Sequence, residues 1–173
     1  MRAVLCGANG AMGTLLCGIL KEEVAGRVSI DGRNGAARTF DELGTLDADM
    51  VIDFSHHTAI SAVLDYAKKI RAAAVIGTTG HTEEERALIF AAAKEIPVFY
   101  SGNMSLGIAV LCRLAKDAAR YFPDADIEIV EAHHNRKVDA PSGTALMLLG
   151  AIKEVRPNAW ANCGRSGEGK RTK

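Results

Sequence analysis

Apolar and polar positions alternate along this chain in a rhythm of strand, turn and helix. Arg2 to Cys6 (RAVLC) is a short apolar run, and Met12, Leu15, Leu16, Ile19 and Leu20 behind it recur at the spacing of one helical face. Val28-Ser29-Ile30-Asp31 predicts a short second strand, whereas Gly32 to Leu46 lacks periodicity and reads as a polar connection. Met50 to Phe54 (MVIDF) is the next buried strand, followed by an amphipathic helix marked by Ile60, Val63, Leu64 and Ala67. Ala73 to Ile76 and Pro97 to Tyr100 predict further strands, with a helix between them that starts at a Thr82/Glu85 capping box and runs towards Lys94. Strands alternating with helices at this spacing imply an α/β fold with a parallel, Rossmann-like doubly wound sheet.

A long helix follows from Ser105 to about Tyr121, carried by Ile108, Leu111, Cys112, Ala115 and Ala119. The small, polar segment Asn103 to Gly107 before it is the expected hinge, which divides the chain into a dinucleotide-binding domain over 1–104 and a partial α+β substrate domain over 105–173. In the second domain Ile127 and Ile129 alternate with Glu128 and lead into Val130, which predicts a strand. Pro141 and Ser142 signal a helix start, and Leu146, Leu149 and Ile152 recur behind them.

Between that strand and that helix lie His133, His134, Arg136, Lys137 and Asp139, a density of titratable groups that packing does not require. His133, His134 and Lys137 can each donate a proton or a hydrogen bond. Ser142, Gly143 and Thr144 fall in the first helical turn, where backbone N–H groups lack partners and the dipole favours an anion. The pairing suits a carboxylate held at the helix start and a proton donor on the adjoining loop. A zinc site is not expected, because adjacent histidines on extended chain point to opposite faces.

The first strand leads into Gly7, Ala8, Asn9, Gly10, Ala11, Met12 and Gly13. Strand, glycine turn and helix in this order suit a dinucleotide pyrophosphate, although the spacing is G-x-x-G-x-x-G and glycine triplets also serve plain turns. Asp31 stands where an acidic residue would bond the adenosine ribose of NADH, and Arg33 could accept the 2′-phosphate of NADPH, so the residues leave both cofactors open. Phe54-Ser55, Gly77-Thr78-Thr79 and Ser101-Gly102-Asn103-Met104 follow the other strands and are expected to line the same rim. His56, His57 and His81 beside these loops read as solvated or capping residues.

With 21 basic and 21 acidic residues the formal net charge is +0, which argues against nucleic acid or a membrane surface as the main partner. No apolar run is long enough to span a bilayer and no signal peptide is visible, so a cytoplasmic location is expected, with Cys6, Cys17, Cys112 and Cys163 as free thiols. Arg165, Lys170 and Arg171 in the Gly- and Lys-rich tail read as solvated charge, with contact to a dicarboxylate as the alternative.

The run EAHHNRKVDAPSGTA, Glu131 to Ala145, resembles the signature of the dihydrodipicolinate reductase family, and the DFS, GTTG and NMS segments match that family's cofactor loops. The resemblance reaches from the N-terminus to about Ile152. It implies an NADH- or NADPH-dependent oxidoreductase that reduces a cyclic imine dicarboxylate in diaminopimelate and lysine synthesis. It assigns proton transfer to His133 and Lys137, substrate binding to His134, Gly143 and Thr144, and contact with the nicotinamide half of the cofactor to the Phe54, Gly77 to Thr79 and Asn103 to Met104 segments. It also implies a homotetramer, built through strands of the second domain that lie beyond Lys173, so the sequence is expected to be C-terminally incomplete. Two other readings stay open on the residues alone: another NAD(P)-dependent small-molecule dehydrogenase on the same fold, or a non-catalytic nucleotide-binding module.

Overall fold

The computed structural model describes residues 1–135, 137, 139–164, 167 and 168, with only the backbone described at Asp139, Gly167 and Glu168. Arg136 and the tail residues Arg165, Lys170 and Arg171 lie outside the described residues. The chain divides into two compact units, Met1–Ser101 and Gly102–Lys173.

The first unit is built on a parallel sheet. Its strands are β1 (Ala3–Cys6), β2 (Val24–Val28), β3 (Met50–Asp53), β4 (Ala73–Ile76) and β5 (Val98–Tyr100), in the order β2-β1-β3-β4-β5. Helices α1 (Ala11–Leu20), α2 (Phe40–Leu43), α3 (Ile60–Ile70) and α4 (Glu83–Ala92) connect them. β1 is buried along its whole length, as expected of a parallel strand covered on both faces. Val4 and Cys6 belong to a core cluster with Ile60, Val63, Leu64 and Ile89 from α3 and α4. Ala3 and Leu5 belong to a second, with Ile52 of β3 and the half-buried Leu16, Cys17 and Leu20 of α1. The alternation along one strand thus sorts residues between two helical layers. Thr82 caps α4 in the expected capping box with Glu85.

Two expectations for this unit are corrected. The second strand ends at Val28, so Asp31 lies in the loop beyond it. Gly26 and Arg27 break its apolar alternation, and Gly26 is there for packing: a Cβ on it would stand 2.6 Å from Leu46 Cδ1. The segment Gly32 to Leu46 is not merely a polar connection. Thr39 caps the short α2, whose Phe40 and Leu43 pack on the core together with Leu46, and Phe40 stacks on Tyr66 with ring centroids 4.6 Å apart.

The second unit contains α5 (Leu106–Tyr121) packed on α6 (Gly143–Lys153), and a short antiparallel pair, β6 (Asp139–Ala140) with β7 (Gly167–Glu168). The expected strand at Ile127 to Val130 is absent: that segment pairs with no strand among the described residues. A strand is defined by its ladder partner, and without one the apolar side chains stay in solvent, Val130 at 91% exposure. Ser142 caps α6, accepting the Ala145 N–H at 3.1 Å.

Candidate functional site

In an open parallel sheet the ligand crevice forms where the strand order reverses, beyond the carboxyl ends of the strands. Here β1 sits between β2 and β3, and a cleft of about 770 Å³ opens past their ends, walled by Gly7, Gly10 and Phe54 and continuing past Ser29 and Arg38 to Tyr66. Gly7 adopts φ +79° and its N–H, with that of Ala8, reaches the Val28 carbonyl at 2.9 and 3.1 Å. A Cβ at Gly7 would stand 2.2 Å from the Phe54 carbonyl oxygen, and one at Gly13 2.2 Å from that of Gly7, so both glycines are required by the turn itself. Gly10 is different, because its Cβ would meet only the Gly7 oxygen, at 3.2 Å. It caps α1 without any side-chain bond, which leaves first-turn amides of a ten-residue helix available at the cleft. This cradle fits the pyrophosphate of a dinucleotide.

Beside the cleft, Asn9 Nδ2 donates to Asp31 Oδ1 at 2.5 Å and Arg33 Nε to Asp31 Oδ2 at 2.6 Å. The Asn9 amide first, and Arg33 second, hold the Asp31 carboxyl well below the usual carboxylate range. The acidic residue is thus ionised and oriented, with an arginine already on it. Arg38, Thr39, Phe40 and Tyr66 extend the cleft wall, and sequence reasoning missed them. The available signal was Thr39-x-x-Glu42, a capping pattern that would have revealed α2.

Of the other expected cofactor residues, Ala8 is buried beneath the turn, and Ala11 and Met12 open α1 with Met12 exposed. Gly77, Thr78, Thr79 and Ser101 are not among the residues that wall this cleft, and Gly102, Asn103 and Met104 belong to the second unit. Thr78 is buried, and its Oγ1 accepts the Ser55 N–H at 2.9 Å, tying the end of β3 to that of β4. Asp53 is fully buried and accepts from Ser55 Oγ at 2.5 Å. Burial, then the neighbouring Asp53 charge, pushes the Cys6 thiol up to about 12, so it is inert.

The three histidines near these loops have separate fates. His56 Nδ1 accepts from the Thr58 N–H and caps the turn before α3. His57 Nδ1 lies 2.9 Å from both Glu85 oxygens. His81 is neither solvated nor a cap: it is 6% exposed, edge-on to Tyr100, with Nδ1 3.3 Å from the Tyr100 hydroxyl and Nε2 without a partner among the described residues. Its burial shows only once β5 is placed, since Tyr100 is what covers it.

In the second unit, Ser142 and His133 stand around the carboxylate of Glu131. Glu131 accepts from the Ser142 N–H at 3.0 Å and from the Ser142 hydroxyl, and its Oε2 stands 3.8 Å from His133 Nδ1. The Ser142 hydroxyl, then its N–H, holds the Glu131 carboxyl below its usual range, and the charges of His133 and Lys137 act in the same direction. The Lys137 N–H closes a turn on the His134 carbonyl at 3.2 Å, and the His134 side chain is exposed. Gly143 and Thr144 form the first turn of α6, and Asn103 Nδ2 donates to Thr144 Oγ1 at 2.8 Å. Glu131 is a neighbour that spacing did not single out, and Asn103, expected at the cofactor, bonds the start of α6. Among the described residues, no group of three acidic, histidine or cysteine side chains could hold a metal, and no helix is long and apolar enough to cross a membrane.

Residues 1–104 match the family model described as dihydrodipicolinate reductase, N-terminus, and residues 107–173 match its C-terminus. The chain is 45% identical to a 4-hydroxy-tetrahydrodipicolinate reductase of Caldanaerobacter subterraneus over 91% of its own length and 65% of the relative's. It is 40% identical to that of Clostridium tetani, over 100% of its own length and 71% of the relative's. A solved dipicolinate-bound dihydrodipicolinate reductase from Paenisporosarcina superposes with TM-score 0.68 at 26% identity, over 97% of this chain and 71% of the other. The chain therefore spans about two thirds of the length of the curated relatives it matches.

Proposed function

The chain belongs to the dihydrodipicolinate reductase family, whose members are NAD(P)H-dependent oxidoreductases, and on that premise we propose that it is a cytoplasmic enzyme that reduces 4-hydroxy-tetrahydrodipicolinate to tetrahydrodipicolinate. The observation that carries the proposal is the cluster of Glu131, His133, Lys137 and Ser142 at the start of α6, where proton donors adjoin a helix start able to hold a carboxylate.

Bound NADH or NADPH supplies the hydride. The reduction also takes up one proton, and the 4-hydroxyl leaves as water. In this reading Gly7 and Gly10 with the first turn of α1 cradle the pyrophosphate, and Asp31 bonds the ribose of NADH. Arg33, 2.6 Å from Asp31, and Arg38 on the cleft wall are cations for the 2′-phosphate of NADPH, so use of both cofactors is proposed. The segments Phe54, Gly77 to Thr79 and Ser101 to Met104 would serve the nicotinamide half. On the substrate side, the Gly143 N–H and the Thr144 hydroxyl hold one carboxylate and His134 assists. His133 and Lys137 form the proton-donating pair, with the Glu131 carboxylate 3.8 Å from His133 Nδ1.

Replacing Lys137 by Ala tests this assignment. Turnover should fall by roughly a hundredfold or more, the usual worth of a positioned acid, while cofactor affinity stays within about twofold. Equal loss of both would remove Lys137 from proton transfer.

A further inference from the structure

The Asn103 side chain makes a pair of contacts that together fix the direction of a third hydrogen bond. Its Oδ1 accepts the Ser105 N–H at 2.9 Å, and its Nδ2 lies 2.8 Å from Thr144 Oγ1. A backbone N–H can only donate, so the amide atom facing Ser105 is the oxygen, and the atom facing Thr144 is the NH₂. An amide NH₂ has no lone pair to offer, so the Thr144 hydroxyl is the acceptor in this contact. Its own hydrogen is left to be donated elsewhere.

The other hydroxyl at the start of α6 is already committed in both senses. Ser142 Oγ donates to Glu131 and accepts the Ala145 N–H at 3.1 Å, and the residue is 3% exposed. Thr144 is only half-buried, one residue past Gly143 in the first helical turn. The helix start therefore presents one hydroxyl whose donor role is set before any ligand arrives.

We propose that Asn103 is a positioning residue that locks Thr144 as a hydrogen-bond donor and so makes the start of α6 selective for a carboxylate. The inference rests on the reading that Thr144 holds a substrate carboxylate, and it gives Asn103 a task beyond the cofactor contact expected of its segment. A carboxylate can only accept, so a hydroxyl already turned to donate meets it without reorganisation. A carboxamide or a protonated acid in the same place gains less from that arrangement.

The decisive variant is Asn103→Asp, which is nearly isosteric and keeps an acceptor for the Ser105 N–H. The oxygen that replaces Nδ2 takes the Thr144 hydrogen, reversing the bond and leaving the hydroxyl without one to donate. The probe is pyridine-2,6-dicarboxylate, titrated calorimetrically into the full chain with NADH saturating, alongside separate titrations of NADH and a thermal midpoint. The expected result is a loss of roughly tenfold or more in dicarboxylate affinity, the size of one hydrogen bond to a charged group. Any change in NADH affinity, which the segment of Asn103 also serves, should be the same with and without Thr144→Val. Thr144→Val should give a similar loss, and Asn103→Asp should add almost nothing in the Thr144→Val background.

Unchanged dicarboxylate affinity in Asn103→Asp overturns the proposal. So does an equal loss in the Thr144→Val background, since the added negative charge would then be acting by itself. If Asn103→Asp does not fold, Asn103→Ala provides the same cycle, with a smaller loss that Thr144→Val again abolishes; a loss that persists overturns the proposal. Failure of the unaltered chain to bind the dicarboxylate overturns the parent reading, and this inference with it.

Discussion

The carboxylate of Glu131 accepts both the backbone N–H, at 3.0 Å, and the hydroxyl of Ser142, the residue that caps α6. One side chain thereby fastens the loop that carries His133 to the helix start that carries Gly143 and Thr144. The donor and the anion-holding groups are fixed with respect to each other by local contacts, whatever else the chain does.

That contact has a pH signature. The Glu131 carboxyl is held below its ordinary value of 4.5, chiefly by the Ser142 hydroxyl and then by its N–H. A carboxylate with a depressed folded-state pKa contributes stability that is present above its unfolded value and is lost as pH falls through the folded one. The thermal stability of the second unit should therefore fall as pH drops below about 4.5, and Glu131→Gln should remove part of that slope. Asp31, Glu84 and Glu85 are held low as well, so the measure is the difference between the two pH curves. Superimposable curves would contradict the role given to the pair.

The glycine turn separates folding from binding within one short segment. Gly13→Ala places a Cβ 2.2 Å from the Gly7 carbonyl oxygen, a backbone atom that cannot yield, so loss of the folded turn is expected. Gly10→Ala meets only one backbone atom, at 3.2 Å, and should leave the thermal midpoint nearly unchanged. Its methyl group would nevertheless occupy the cleft wall, and NADH affinity should fall by roughly tenfold or more. Thermal scans and NADH titration of the two variants check both halves of the contrast.

His81 makes a third prediction. Burial lowers its pKa from the ordinary 6.5, against the raising effects of Glu85 and Asp53 and with the smaller lowering effects of His57 and Arg86. The unfolded chain then takes up a proton at higher pH than the folded one, so stability is lost as pH falls from 6.5 towards the folded value. His81→Phe preserves the edge-on contact with Tyr100, removes the buried Nε2 and should flatten the stability curve between about pH 7.5 and about pH 5.5 in denaturant unfolding. An unchanged slope would place the proton uptake elsewhere.

Most of the nucleotide-binding architecture was legible because local signals and the tertiary pattern agree there. RAVLC before a glycine turn, Thr82 with Glu85, and Ser142 at the head of Leu146, Leu149 and Ile152 each state one element through one physical rule. Where reading failed, the deciding atoms lie far off in sequence. Gly26 looks like a strand breaker until Leu46 is seen filling the space its missing Cβ leaves. Ile127 to Val130 has the pattern of a strand but no partner among the described residues. The motif from Glu131 to Ala145 pointed to the proton donors, whereas the bonds that hold it, Glu131 to Ser142 and Asn103 to Thr144, are tertiary facts that no spacing rule supplies.

The central claim is tested most directly by following NADH and NADPH oxidation by the 173-residue chain, with substrate generated in place from pyruvate and aspartate semialdehyde by the preceding synthase. Oxidation of both cofactors is expected, dependent on the synthase and lowered roughly a hundredfold or more by Lys137→Ala. Cofactor binding with no synthase-dependent oxidation would contradict the claim.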